Sequence, residues 1–230
     1  MKYLKQIFSL TAIFFSITVV GQSTSNKTKR PDIFGIFAGV GIASFNVSKS
    51  NWTQLPVNYA DSLNSVTSTS NLSVHMGITY RIEFNRNLSL RPAVTLIIGE
   101  TGKLKYDRKV TTETLNFKAV AEGLAIPFIY KLSNKEIKPY IELGPTLLYH
   151  LGQAEETGAK VTLNKFDLLG QFGIGIEIPT KHFKLSPELS FSKGFIDAKS
   201  NNNNLYTKTI SSLHRQYFNL SFYFSNNDKK

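Results

Sequence analysis

The stretch Asn71–Phe84, NLSVHMGITYRIEF, has the clearest structural pattern in this chain. Every even position from Leu72 to Phe84 is apolar, and every odd position is polar or glycine. A period of two is that of a β-strand with one apolar face. The stretch is far longer than an average soluble strand, which has about five or six residues. Its length suits a strand that crosses an outer membrane. The pattern predicts that position 76 faces lipid and position 77 faces the lumen.

The same alternation recurs along the chain. The predicted strands are 34–43, 71–84, 88–99, 124–132, 141–151, 166–178, 183–195 and 217–224. A mean hydropathy of -0.14 agrees with this interpretation, because lipid-facing apolar and lumenal polar residues alternate in a membrane barrel. We expect an all-β fold, an eight-stranded antiparallel transmembrane up-and-down β-barrel.

The connections between the predicted strands alternate in length. Segments 85–87, 133–138 and 180–182 are short, whereas 48–70, 100–112, 152–162 and 196–213 are long and polar. Outer-membrane barrels have short periplasmic turns and long outer loops. We therefore expect a protein of the cell outer membrane with both termini in the periplasm.

The N-terminus has the features of a secretory signal. Lys2 and Lys5 precede an apolar segment over 7–20, and Gly21 offers a small residue for cleavage. A membrane anchor is the alternative, but the segment is shorter than the roughly 20 residues that a spanning helix needs. The predicted organisation is a signal peptide at 1–21, a flexible periplasmic lead-in at 22–32, the barrel at 33–225 and a C-terminal tail at 226–230.

Seven charged residues have the parity of lumenal positions. They are Arg81, Glu83, Arg91, Lys131, Glu142, Glu177 and Glu188. Centring the first short turn on Arg86 places Arg81 opposite Arg91, and like charges across two strands destabilise a sheet unless they are countered. We therefore expect a lumenal charge network that plugs the periplasmic half of a barrel just wide enough for side chains.

A soluble β-sandwich or lipocalin-like barrel is the alternative fold. A soluble fold with these positions inside would bury most of these charges in an apolar interior. A soluble fold with the two faces exchanged would expose stripes of Leu and Phe to water. Four prolines, at 92, 127, 145 and 187, fall inside the predicted strands. A closed barrel has no free edge for them, so we expect β-bulges nearby.

Several segments resemble the PorT family of outer-membrane β-barrels of Bacteroidetes. They are NLSLRP at 87–92, AIPFIYK at 125–131, KPYIELGP at 138–145, FDLLGQFGIG at 166–175 and FKLSPELSF at 183–191. Members of that family are implicated in type IX protein secretion and, in gliding species, in motility. The resemblance implies an interaction or accessory role in such a secretion system, with other secretion-machinery proteins as partners.

Residues for catalysis are few. The chain has no cysteine, so thiol nucleophiles, thiolate zinc sites and disulfides are excluded. The four histidines are His75, His150, His182 and His214. A lipid-modifying barrel, an acyltransferase or deacylase, would combine a His with a Ser and a carboxylate, and His150 with Asp167 and Ser192 is the one set that the pattern allows. We predict no enzyme activity, no cofactor and no metal site.

The chain carries 27 Lys and Arg against 16 Asp and Glu. Lys103, Lys105, Arg108 and Lys109 cluster in the second long loop, where they are placed to contact lipopolysaccharide phosphates. Nucleic acid is not an expected partner of a secreted barrel. The predicted partners are outer-membrane lipids and lipopolysaccharide, and an adhesive or lipid-modifying barrel acting through its outer loops is the alternative function.

Overall fold

The computed structural model describes residues 33–50, 63–133, 135–155, 161, 163–200 and 205–226. The predicted signal peptide and lead-in lie outside the described residues, as does the predicted tail beyond residue 226. The compact unit Asp32–Lys230 is the one described below.

The described chain consists of β-strands and one short helix. The strands are β1 Ile33–Lys49, β2 Leu63–Thr69, β3 Asn71–Glu83, β4 Leu88–Leu90, β5 Ala93–Arg108, β6 Thr112–Ala125, β7 Phe128–Lys131, β8 Lys138–Glu155, β9 Phe166–Pro179, β10 Phe183–Gly194 and β11 Ile210–Asn226; the helix is α1 Leu205–Lys208. Among the described residues, no helix is long and apolar enough to cross a membrane.

Antiparallel pairing closes the strands into a ring. Because β2 leads into β3, β4 into β5 and β6 into β7, the ring has eight strand positions. The first and last strands meet, with Ile36 opposite Phe224, and β1 also pairs with β3, with Ile36 opposite Ile78. The predicted eight-stranded up-and-down barrel is confirmed.

The pairing register sets the tilt of the strands. Following paired residues once around the ring leads from Ile36 through Ile78, Val94, Leu124, Leu147, Leu168 and Phe195 to His214 and then Asn46, with the printed register of β10 continued by two residues at Phe195. The path returns to β1 ten residues further along that strand. With about 3.3 Å per residue and about 4.8 Å between strands, this shear gives a tilt of roughly 40°.

The two faces of the sheet have the predicted parity. On β1, Phe34 and Ile36 are 55% exposed on the outside, whereas Phe37 and Ala43 are buried inside. The same alternation holds on β3, where Met76 is exposed and His75 is buried. An apolar outer band therefore surrounds a narrow and largely polar lumen.

The bulges predicted at the prolines are absent. Register shifts occur at Ser48/Lys49, Leu63/Ser65, Glu100/Gly102 and Val120/Ala121 instead. Proline lacks an N–H but keeps its carbonyl, and the carbonyls of Pro92, Pro127 and Pro145 accept bonds of 2.9 Å from the N–H groups of Tyr80, Arg91 and Ile126. The strands lose single donors at these positions without a change of register.

The end of the barrel with the short connections, the turn end, differs from the opposite loop end. The segment 100–112, predicted as a loop, is mostly strand, because β5 and β6 continue to Arg108 and Thr112. The prediction was wrong because the parity changes along β5. A register shift between Glu100 and Gly102 turns Leu104 and Tyr106 inward, where the unshifted alternation would have placed Lys103 and Lys105.

Glycine makes this irregularity possible. Gly102 has a φ of +155°, and a β-carbon there would overlap the ring of Phe45. Beyond the shift the inside of the barrel is apolar. The buried cluster at the loop end comprises Phe45, Leu63, Val66, Leu104, Tyr106, Leu115, Phe117, Val161, Leu163, Ala198, Ile210 and Leu213.

We predict that Met76→Cys reacts with a lipid-soluble maleimide in intact membranes and that Thr79→Cys does not. Met76 is 44% exposed on the outer face and Thr79 is buried in the lumen. Thr79 replaces position 77 as the inward site, because a β-carbon on Gly77 would overlap the Val94 carbonyl oxygen. A mobility shift between unheated and boiled samples on a detergent gel verifies folding, and equal labelling of both variants contradicts the register.

Candidate functional site

The lumen at the turn end holds a first ionic cluster. Arg81 on β3 forms a salt bridge with Glu177 on β9. Lys131 on β7 lies 2.7 Å from Glu83 and 3.6 Å from the second carboxylate oxygen of Glu177. The side chains of Arg81, Glu177 and Lys131 are each at most 5% exposed, so these pairs are held largely out of water.

A second cluster lies directly beside the first. The Nη2 of Arg91 donates to Glu142 and, at 2.5 Å, to Glu188. Tyr140 donates its hydroxyl to Glu188 at 2.8 Å, and Gln171 donates its amide to Glu142 at 2.6 Å. The guanidinium of Arg91 also stacks 3.8 Å from the centre of the Tyr223 ring, a cation–π contact that further fixes its position.

All seven residues predicted for the lumenal charge network thus lie in these two clusters. Pairing of Ile82 with Leu90 sets the register that puts Arg81 opposite Arg91, and each arginine is neutralised by carboxylates from other strands. Lys184 is also buried in the lumen and was missed by the sequence analysis. Its even position on β10, in phase with Ser186 and Glu188, was the available signal.

A small cavity with a mixed polar and apolar lining follows towards the loop end. Its volume is about 50 Å³, enough for a few water molecules. Apolar side chains such as Phe37, Ile97 and Leu148 form part of its wall. Hydroxyl, amide and imidazole groups form the rest, from residues that include His75, Thr146, Gln171, Ser190, Asn219 and Ser221. His75 bonds through Nε2 to Ser221 Oγ at 2.8 Å.

A buried ion pair separates the cavity from the apolar cluster. Arg215 on β11 donates from Nη1 to Asp167 on β9 at 3.0 Å and from Nη2 to the carbonyl of Asn164 at 2.9 Å. Both charged side chains are 0% exposed. Sequence analysis did not identify Arg215, although its odd position on β11 has inward parity.

The predicted catalytic set is not assembled. Asp167 is engaged by Arg215, and both ring nitrogens of the buried His150 are without a hydrogen-bond partner. Ser192 pairs with Gln171 of β9. Gln171 lies four residues along β9 from Asp167, a backbone separation of about 13 Å at the usual rise. A Ser–His–carboxylate relay needs contacts of about 3 Å, so these residues do not form one.

The basic residues assigned to the second loop lie on the extended hairpin. Lys105 is exposed on β5 and Lys109 in the turn that follows it, while Lys103 is half-buried on β5. Arg108 lies 3.9 Å from Glu113 and 5.3 Å from the centre of the Tyr206 ring. The two lysines 105 and 109 are therefore the most accessible of the four.

Within the described ranges, no three His, Asp or Glu side chains are grouped as metal ligands. The acidic and basic groups of the two ionic clusters, and Arg215 with Asp167, form salt bridges with one another. Along the described chain, the lumen contains in succession two ionic clusters, a cavity for a few waters, an ion pair and an apolar cluster.

The family can now be stated. A family model described as "Outer membrane protein beta-barrel domain" matches residues 20–200. This chain belongs to that family. It is therefore an outer-membrane β-barrel, which agrees with the apolar outer band and the closed ring of strands. A comparison with curated protein sequences finds no match.

Solved structures of outer-membrane barrels resemble the chain in fold. Neisserial surface protein A is 14% identical, with a TM-score of 0.45 over 84% of this chain and 96% of that chain. OprG from Pseudomonas aeruginosa is 12% identical, with a TM-score of 0.48 over 85% and 96%. Ail of Yersinia pestis, in complex with the heparin analogue sucrose octasulfate, is 9% identical, with a TM-score of 0.40 over 84% and 98%.

We predict that Arg91→Leu lowers the melting temperature of the folded barrel. The substitution leaves Glu142 and Glu188 buried without their shared cation, which costs about 3 to 5 kcal/mol when burial is complete. Loss of the folded band on an unheated gel measures this temperature. Adding Glu188→Gln recovers part of the loss, and Arg86→Leu in the exposed turn is the matched control. An unchanged melting temperature in Arg91→Leu contradicts the role of the cluster.

Proposed function

We propose that this barrel is a non-enzymatic outer-membrane component that acts through its surfaces, as an accessory of a type IX-like protein secretion system or of gliding motility. The observation that carries the proposal is the filled lumen. Two ionic clusters at the turn end and an apolar cluster at the loop end leave space for a few waters between them. Such a lumen conducts no solute, so its partners contact the outside of the protein.

The secretion role itself rests on the resemblance to the PorT family. The quoted segments surround the two clusters, since Arg91, Lys131, Glu142 and Glu188 all lie within them. In this proposal these segments serve to close the barrel, and partner proteins dock on the exposed parts. The partners are proteins of the secretion machinery.

The proposed orientation has both termini in the periplasm. Three short connections lie at the turn end together with the start of β1 and the end of β11. Short turns are periplasmic in barrels of the bacterial outer membrane. The extended hairpin of β5 and β6 then stands outside the cell.

Contact with the cell-surface layer is a second candidate role. The hairpin presents Lys105 and Lys109 to solvent, and ammonium groups bind lipopolysaccharide phosphates as point charges. An adhesive barrel would use the same exposed hairpin. The lipid-modifying alternative lacks such support, because His150, Asp167 and Ser192 are not brought together.

A deletion strain tests the secretion role. We expect export of proteins bearing type IX signals and surface spreading to fall, and wild-type protein and His150→Ala to restore both equally. The paired substitutions Lys105→Glu and Lys109→Glu separate the second role, since they alter surface adhesion and leave export intact. Normal export in the deletion strain rejects the secretion proposal, and restoration by wild type but not by His150→Ala favours an enzyme.

Conductance tests the closed lumen independently of any partner. Purified wild-type protein in planar lipid bilayers is expected to show no steady ion current, because the buried ionic clusters and the apolar cluster fill most of the narrow lumen. Folded Arg86→Leu serves as the control. A steady current through wild-type protein rejects the closed lumen.

A further inference from the structure

Two charged residues interrupt the lipid-facing surface. Some of the described outward-facing positions have apolar neighbours on both sides along the same face of the strand. With two exceptions, these positions are themselves apolar, glycine or proline. The two exceptions are Glu122 on β6 and Lys193 on β10.

Glu122 lies between Val120 and Leu124 on its own strand. Its cross-strand neighbours are Leu96 on β5 and Tyr149 on β8. Gly123, next along the chain, faces the inside, where a β-carbon would lie 2.9 Å from Leu148. Glu122 therefore points outward into an apolar environment, and no described side chain forms a salt bridge with it.

Lys193 has a similar setting with the opposite charge. It is exposed between Phe191, 42% exposed, and Phe195, 69% exposed. Its cross-strand neighbours are Gly170 on β9 and Gln216 on β11. Within the described part of the barrel, Lys193 also has no carboxylate partner.

The two residues lie at the same depth in the membrane. The ladder from Lys193 passes through Gly170 and Pro145 to Ile126 beside β6. With the shear of this barrel, those three strand steps descend by about 9 Å along the barrel axis. Glu122 lies four residues from Ile126 towards the loop end, which restores about 10 Å at the same tilt. Both charges are thus level, a short distance inside the loop-end rim of the apolar band.

We propose that Glu122 of one copy pairs with Lys193 of a second copy, so that the barrel self-associates laterally in the outer membrane. Charges on the lipid face destabilise a barrel in a depth-dependent way, and a partner of opposite charge relieves both. Copies in one membrane share their orientation, so residues of equal depth meet at a lateral contact. Because the two charges are opposite and lie at equal depth, a second copy of this chain is the partner that fits both.

The position of the two residues around the ring determines the type of assembly. Glu122 and Lys193 lie three strand positions apart, roughly 135° around a ring of eight. They are too far apart to pair within one barrel. A contact between two different faces is head-to-tail and generates a row or a ring of copies instead of a closed pair. This inference does not depend on the proposed secretion role.

Cysteine cross-linking in native membranes tests the contact directly, because the chain contains no cysteine of its own. Two differently tagged full-length copies that keep Glu122 and Lys193 are co-expressed, one with Val120→Cys and the other with Phe195→Cys, and treated with a short bismaleimide. Val120 and Phe195 are exposed and each lies two residues from its charged neighbour towards the loop end. We expect a mixed dimer from this pair and a ladder of oligomers when both substitutions are in one chain. Ile42→Cys, on the lipid-facing side of β1, replaces Val120→Cys in the control pair and is expected to give no mixed dimer.

Charge reversal tests whether the salt bridge drives the contact. Glu122→Lys and Lys193→Glu are each expected to reduce the oligomer fraction after mild detergent extraction by about tenfold or more, since close charge pairs couple at least this strongly. The double reversal restores it. The mobility of unheated samples verifies that each variant is folded.

Three results overturn the proposal. They are the absence of the mixed dimer from folded protein, cross-links that join either cysteine only to other proteins or to lipid, and a double reversal that associates no better than the single variants.

Discussion

The closure of the backbone ladder between β1 and β11 governs the structure of the whole barrel. In lipid, each N–H and C=O needs a partner within the protein, and the pairing of Ile36 with Phe224 removes the last free edge. Eight strand positions with this shear leave a lumen only wide enough for side chains. Ten charged groups brought into so small a space would repel or desolvate one another without partners. The paired geometry of Arg81 with Glu177 and of Arg91 with Glu142 and Glu188 follows from that narrowness.

The barrel contains two different interiors. Near the turn end the outer face is apolar because lipid surrounds it, and the inside is ionic. Near the loop end the arrangement is reversed, because water surrounds the extended strands and the hydrophobic effect buries apolar residues inside. On β5 the register shift at Gly102 reverses which side chains face the inside. It turns Leu104 and Tyr106 towards Phe45. The pair of Arg215 with Asp167 lies where the two interiors meet.

Inside and outside the barrel, charged side chains held away from water need partners of opposite charge. Those inside find partners on other strands of the same chain, since the lumen brings all strands together. Glu122 and Lys193 face outward on strands that curve away from each other, so no partner on the same barrel is within reach. The lumen is closed, and the two outward charges have no partner on the same barrel. We therefore expect other molecules to bind to the outer surface of this protein.

The alternation of apolar and polar residues predicts the class of fold, the inward and outward parity of the spanning strands and the identity of the seven charged residues in the lumen. Each of these depends only on the period of two, which is local and survives any register. It did not determine the loop-end strands, because a shift at Glu100–Gly102 changes the parity and makes Lys103–Arg108 resemble a loop. The closed barrel alone shows which carboxylate serves which arginine, that Asp167 binds Arg215 while Ser192 lies elsewhere, and that Glu122 and Lys193 share one depth. Those properties depend on the shear of the closed ring, a sum over all strand pairs that no single segment of sequence contains.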